Sequence, residues 1–144
     1  MDNKLKSKTR LAAIQLVTQH LINNQDIELI KYDFDKFYRN TVIDENLSKI
    51  EYNINFLSKL ISFFKVLDIN LVSKDINNLL DFNRKFENWD TITKAIILVS
   101  LGEIKNSEKN KIKIILNDYI EISKSFLNLK ETKLINSILD KLIK

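Results

Sequence analysis

The chain has 144 residues and a formal net charge of +4, with no cysteine, no proline and a single glycine, Gly102. That length suits one compact domain with its own core, and the scarcity of Gly and Pro removes the usual punctuation of hairpins and tight turns, favouring an all-helical fold. Lack of cysteine excludes a disulfide framework, a thiolate metal site and a cysteine nucleophile; Gln15, Gln19 and His20 break the apolar run after the basic N-terminus, so no signal-peptide core forms, and no run approaches the ~20 residues of a membrane helix.

In chain order, residues 1 to 6 read as a disordered polar start, and Ser7 or Thr9 is placed to cap a first helix that runs to about Asn23. Leu11, Ile14, Val17 or Thr18, and Leu21 mark its buried side, with Ala12 and Ala13 permitting close approach. Asp26 is placed to cap a second helix lined by Ile27, Ile30, Phe34 and Phe37. Arg39 to Glu45 reads as a connection. A long third helix follows, with Leu47, Ile50, Ile54, Leu57, Ile61 and Phe64 in nearly strict heptad spacing and a second stripe of Phe56, Leu60, Phe63 and Leu67. Apolar on two sides, it is expected between two layers.

Asn70 to Ser73 reads as a break, with Ser73 capping a fourth helix that carries Ile76, Leu79, Leu80, Asn83 and Phe86. The chain turns near Trp89, and Asp90 or Thr91 caps a fifth helix that ends near Lys105. The last third holds two amphipathic patterns. Ile112, Ile115, Leu116, Tyr119, Ile122 and Phe126 stripe the first; Leu134, Ile135, Ile138, Leu139 and Leu142 stripe the second. Together they predict a helical hairpin closing a bundle of about seven helices, in a three-helix group over about 7–70 and a four-helix group over about 73–144, within one domain.

Charge is distributed unevenly. Residues 1–10 carry +3, residues 105–113 carry +3 and residues 130–144 carry +2, which leaves −4 for the remainder. Clustered cations are the footprint of a polyanion binder, because neutralised phosphates release condensed counterions; solvated termini and a solvated loop are the plain alternative.

Two stretches carry a family resemblance. Leu116-Asn117-Asp118-Tyr119-Ile120-Glu121-Ile122-Ser123-Lys124-Ser125-Phe126, then Ile135-Asn136-Ser137-Ile138-Leu139-Asp140-Lys141, resembles the C-terminal signature of the NusB transcription antitermination family, roughly I-N-E-A-I-E-L-A-K-x-F-G followed by F-V-N-G-V-L-D. Lys6-Ser7-Lys8-Thr9-Arg10-Leu11-Ala12-Ala13-Ile14-Gln15 is similar to its N-terminal run of arginines leading into A-V-Q-A-L. Lys94 to Ile104 resembles its R-A-I-L-R-I-A-x-Y-E-L pattern, with Gly102 where the family has Tyr.

The resemblance implies a non-catalytic, cytoplasmic RNA-binding factor. Its partners would be boxA-type single-stranded RNA in ribosomal RNA leader transcripts, the ribosomal protein NusE, and transcribing RNA polymerase with other Nus factors. Homodimer and monomer both stay open. It also implies an RNA site at Lys4, Lys6, Lys8 and Arg10, and at the start of the last helix, where Lys130 and Leu134 occupy positions that the family commonly fills with an acid and Phe, Lys133 acting beside Lys130. Leu134 is open to two readings, RNA-facing or packed in the bundle. A rival is a rRNA-targeting domain like the NusB-like part of ribosomal RNA cytosine methyltransferases, although Rossmann motifs are absent; another is a helical protein–protein adaptor with merely solvated basic termini.

Enzymatic chemistry finds little support. His20 is the only histidine and has no ligand-spaced partner, which excludes ordinary zinc sites, and a single Gly excludes phosphate-cradling loops, so no metal or cofactor is expected. Asp33 with Asp35, and Asp44 with Glu45, read as capping and solvating carboxylates rather than acid–base pairs. Trp89 and Tyr119 are the aromatics that could stack on bases. Tyr119 sits on an apolar face and is read as packed, whereas Trp89 is open to either role.

Overall fold

The computed structural model describes residues 1–37, 51–79 and 84–143. Among the described residues there are seven α-helices and no strand, as composition and periodicity predict.

Helix α1 (Asn3–Asn23) begins before Ser7, because Asp2 accepts the Leu5 N–H at 2.7 Å and so caps the helix well ahead of the expected position. Ser7 and Thr9 lie inside the helix instead, their hydroxyls donating to the carbonyls of Asn3 and Leu5. Thr9 also accepts the Asn53 N–H at 2.9 Å, which ties α1 to the entry of the third helix. The buried face is broader than the stripe predicted: Thr9, Arg10, Ala12, Ala13, Ile14, Leu16 and Val17 are all covered. At the far end Asn24 takes the left-handed conformation, φ 56°, and its N–H closes on the His20 carbonyl.

Helix α2 (Ile27–Phe37) starts at the predicted cap, Asp26 accepting the Glu28 N–H at 3.0 Å. Ile27 and Ile30 are buried, but Phe37 is 59% exposed rather than part of the core-facing stripe. The expected connection from Arg39 to Glu45 and the heptad positions Leu47 and Ile50 lie outside the described residues. Helix α3 (Ile54–Lys65) is capped by Asn53, which accepts the Phe56 N–H at 2.8 Å, and it buries Leu57, Leu60, Ile61 and Phe64.

Helix α4 (Ile69–Leu79) corrects the predicted break. Asp68 caps it by accepting the Leu71 N–H at 3.1 Å, and Ser73 is a buried residue within the helix. Leu80 and Asn83 lie outside the described residues. Phe86 then opens a 3-10 turn, Phe86–Asn88, its N–H held at 2.9 Å by the Asn77 side chain and its ring 1% exposed.

Helix α5 (Thr91–Lys105) is the axis of the fold. Every residue from Ala95 to Ile104 is buried, because α1, α3, α6 and α7 all pack around it. Gly102 lies at its crossing with α3: a Cβ there would stand 3.2 Å from the Phe63 carbonyl carbon and 3.3 Å from the Phe64 nitrogen. Glycine thus lets two helix backbones meet, where the family pattern has Tyr.

A 3-10 turn at Lys109–Lys111 leads into α6 (Ile112–Ser123), which buries Ile115, Leu116, Tyr119 and Ser123. The predicted stripe overruns the helix, and Phe126 in the following turn is 42% exposed. Helix α7 (Leu129–Ile143) is entered through a reciprocal cap. Asn128 accepts the Glu131 N–H at 2.8 Å, and Glu131 accepts the Asn128 N–H at 3.1 Å. Ile135, Ile138 and Leu139 turn inward from this helix. No described helix is long and apolar enough to cross a membrane.

Candidate nucleic-acid interface

Lys4, Lys6, Lys8 and Arg10 follow one another at intervals of two, which on a helix is a rotation of about 200° per step. They cannot share a face. Lys4 and Lys8 stack on one side, Lys6 and Arg10 on the other, and the structure buries the end of the second row. Lys4 is exposed, and Lys6 and Lys8 are half-buried. Arg10 is only 7% exposed.

Arg10 is held by a buried polar cluster. Its Nε and Nη2 donate to the two Glu103 oxygens at 2.9 and 2.7 Å, and Nη1 donates to Asp118 Oδ2 at 2.6 Å. The guanidinium carbon also lies 5.4 Å from the Phe56 ring centre and 5.6 Å from that of Tyr119. Burial alone would push the guanidinium to release its proton, but hydrogen bonds and charge from Glu103 and Asp118 outweigh it, so Arg10 is held more firmly protonated than a free arginine. The assignment of Arg10 to a phosphate is therefore corrected, since the side chain is buried and each of its three nitrogens already donates to a carboxylate inside the protein. Its role at this site is to fix the start of α1.

Asp118 and Tyr119 complete the cluster. Asp118 accepts the Ser7 hydroxyl at 2.6 Å and so joins the first turns of α1 to α6. Tyr119 donates its hydroxyl to Glu103 Oε1 at 2.7 Å and has no exposed surface, which rules it out as a stacking platform. Burial first, and the Glu103 carboxylate second, raise the phenol well above its ordinary range. No buried side-chain polar atom among the described residues is left without a partner. One sequence signal pointed here: Glu103 is the only acid in a helix otherwise apolar from Ala95 to Ile104 apart from Ser100, and a carboxylate there demands a cation.

The exposed cations are held more loosely. Lys8 reaches Glu51 at 3.2 Å, with both side chains substantially exposed, so the pair contributes little and a phosphate could compete for the ammonium. At the α7 start Lys130 and Lys133 are exposed. Leu134 packs partly against the core and also lines a surface cavity. Helix α6 connects the two basic groups, since it holds the α1 start through Asp118 and packs along α7. A third exposed group, Lys105, Lys109, Lys111 and Lys113, surrounds the α6 entry; Lys109 and Lys113 border a groove of about 580 Å³ floored by Ile112, Leu116 and Ile143.

His20 and Asp35, screened for other chemistry, have structural partners. His20 packs edge-on against Phe64, with ring centres 5.8 Å apart, and its Nδ1 meets the Gln25 carbonyl. Asp35 is bound by Lys31 at 2.6 Å and by the Tyr52 hydroxyl at 2.7 Å; Asp44 and Glu45 lie outside the described residues. No group of three metal-ligating side chains occurs among the described residues.

Comparison with known proteins adds an independent line. Residues 7–144 match the NusB family. The transcription antitermination protein NusB of Rickettsia felis is 32% identical over 149 residues, covering 98% of this chain and 94% of that protein. That of Rickettsia massiliae is 31% identical over 151 residues, covering 99% and 95%.

Proposed function

The chain belongs to the NusB family, and from that premise we propose that it is a non-catalytic transcription antitermination factor that binds single-stranded RNA of the boxA type in ribosomal RNA leaders. NusE and other Nus factors at transcribing RNA polymerase would be its protein partners. The observation that carries the RNA reading is the start of α1: three lysines and no acid occupy its first turns, where the macrodipole disfavours cations. The Asp2 cap offsets part of that cost, and the cations left over favour a bound anion.

Helices on both sides of the Val66–Asp68 break pack on α5 or on α7, which itself packs on α5; this supports reading residues 1–144 as one RNA-binding body built from the groups 7–70 and 73–144. The buried Arg10 cluster would hold Lys4, Lys6 and Lys8 in a fixed relation to α6. Lysine offers a point charge without the planar fork of arginine, so these residues position the backbone, and sequence choice must come from bases and from the partner.

Fluorescence anisotropy with boxA-like and scrambled single strands, with and without NusE, tests the reading. Salt-sensitive binding that NusE strengthens for the boxA-like strand is the expected result. Absence of RNA binding under both conditions, at low salt, would overturn it.

A further inference from the structure

The groove between the start of α6 and the end of α7 shares no residue with the proposed RNA site. It encloses about 580 Å³, inside the ~300–1,000 Å³ range of ligand-binding clefts. Ile112, Leu116 and Ile143 form an apolar floor, and Asn117 and Asn136 stand on opposite walls, one from each helix. Lys109 and Lys113 border it on the α6 side, and both are exposed. With Lys105 and Lys111 nearby in the chain they make four exposed lysines, none of them in an ion pair among the described residues.

The lining sorts the candidate occupants. It contains no aromatic residue, so a base finds no stacking platform, and Asp140 puts a carboxylate on the α7 wall, a poor neighbour for a phosphate chain. A second copy docking through the same face would set lysine against lysine. A peptide answers every feature. In an extended segment successive side chains point to opposite sides, so apolar residues at alternate positions cover the floor while the acids between them turn outward, where long lysine side chains reach them. An Asn amide offers both a donor and an acceptor, and the backbone of an extended segment has N–H and C=O groups that need such partners. We propose that this groove docks a short extended segment of a partner protein in which apolar residues alternate with Asp or Glu. The proposal goes beyond the RNA-binding reading and stands independently of it.

The test titrates the full chain with a labelled peptide that alternates Leu with Asp, with its counterpart carrying Lys for Asp, and with a scrambled single-stranded RNA, recording anisotropy and amide NMR spectra. The Asp peptide should bind in a salt-sensitive manner and shift amides within 109–117 and 136–143, and the Lys peptide should bind at least about 10-fold more weakly. Lys109→Glu combined with Lys113→Glu should reverse that preference. The double variant should keep its melting temperature, because both residues are exposed and Lys113 lies in the first turn of α6, where an acid suits the macrodipole. Equal binding of the two peptides, or no shift at the groove with either, would overturn the proposal. So would groove shifts produced by the RNA strand and not by the Asp peptide, which assign the groove to nucleic acid, or groove shifts that grow with protein concentration alone, which assign it to a second copy.

Discussion

Arg10 and Glu103 form a two-pronged ion pair across the packing of α1 on α5, at 2.9 and 2.7 Å, with both side chains less than a tenth exposed. Two charges leave water there, and their attraction offsets the desolvation only because further hydrogen bonds satisfy the groups around them. Asp118 takes the third guanidinium nitrogen, and Tyr119 donates to the shared carboxylate. The pair thereby converts a basic N-terminal helix into a rigid mount.

Removing one member should leave its partner charged and buried. Glu103→Leu or Arg10→Met alone is expected to lower stability by about 3–5 kcal/mol, whereas the two combined should destabilise by less than the sum of the two single changes. Urea unfolding of the wild type, the single variants and the double variant gives the comparison. Additive effects would show that the residues act independently.

The phenol of Tyr119 makes stability depend on alkaline pH. Its folded-state pKa is raised by burial and by Glu103, so the native state keeps a proton that the unfolded chain releases above about 10. The contribution is fully present below that pH and is lost as pH rises above it. Denaturant midpoints should decline above about pH 10 in the wild type, and Tyr119→Phe should flatten that decline while removing about 1 kcal/mol at neutral pH, because the hydrogen bond to Glu103 is gone. An equal alkaline slope in both proteins would place the titrating group elsewhere.

Gly102 sets the distance between α3 and α5. Ala would gain about 1 kcal/mol of helix propensity, but its Cβ would press the Phe63 and Phe64 backbone at 3.2–3.3 Å, and backbone yields less easily than a side chain. The two effects should nearly cancel, leaving Gly102→Ala within about 1 kcal/mol of wild type, while Gly102→Leu should destabilise by about 3 kcal/mol or more through overpacking. Thermal melts of both variants test the crossing; a well-folded Leu variant would show that α3 can move aside.

Periodicity located the helices well where the stripe faced one core, as in α6 and α7, and a short polar side chain before an apolar run located the α2 cap at Asp26. It misplaced the start of α1 because Asp2, Ser7 and Thr9 are all competent caps, and only the folded chain decides which hydroxyl turns back into the helix. The burial of Arg10 was hidden for a related reason. A run of alternating cations reads as one basic patch, whereas helical rotation sends the last of them inward to a carboxylate 93 residues away in sequence. Ser73 misled similarly, since Asp68, one helical turn and more before it, was the stronger cap.

With Arg10 buried, the salt dependence of the proposed RNA binding would fall to the lysines. Changing Lys4, Lys6 and Lys8 together to Ala should lower the log–log salt slope by about 0.7 for each phosphate no longer neutralised, without the destabilisation expected of Arg10→Met. Glu51→Gln should act oppositely by freeing Lys8, tightening RNA slightly at low salt with stability changed by no more than about 1 kcal/mol. Anisotropy titrations across a salt series measure both, and an unchanged slope in the triple variant would mark the helix start as a solvated terminus.

Lys130 allows binding and folding to be separated, because its helix and its proposed ligand favour opposite charges. It stands in the first turn of α7, exposed and beside the Asn128–Glu131 cap, where an acid complements the macrodipole by about 0.3–1 kcal/mol. Lys130→Glu should therefore hold or slightly raise the melting temperature while weakening boxA-like and scrambled strands by similar factors, as expected for a phosphate interaction that carries no sequence information. Leu134→Phe acts on the neighbouring cavity instead. The larger ring should overpack a partly buried position and lower stability by about 1–3 kcal/mol, with little change in the salt slope. A charge reversal that lowers the melting temperature and leaves RNA affinity untouched would remove the α7 start from the interface and confine binding to α1.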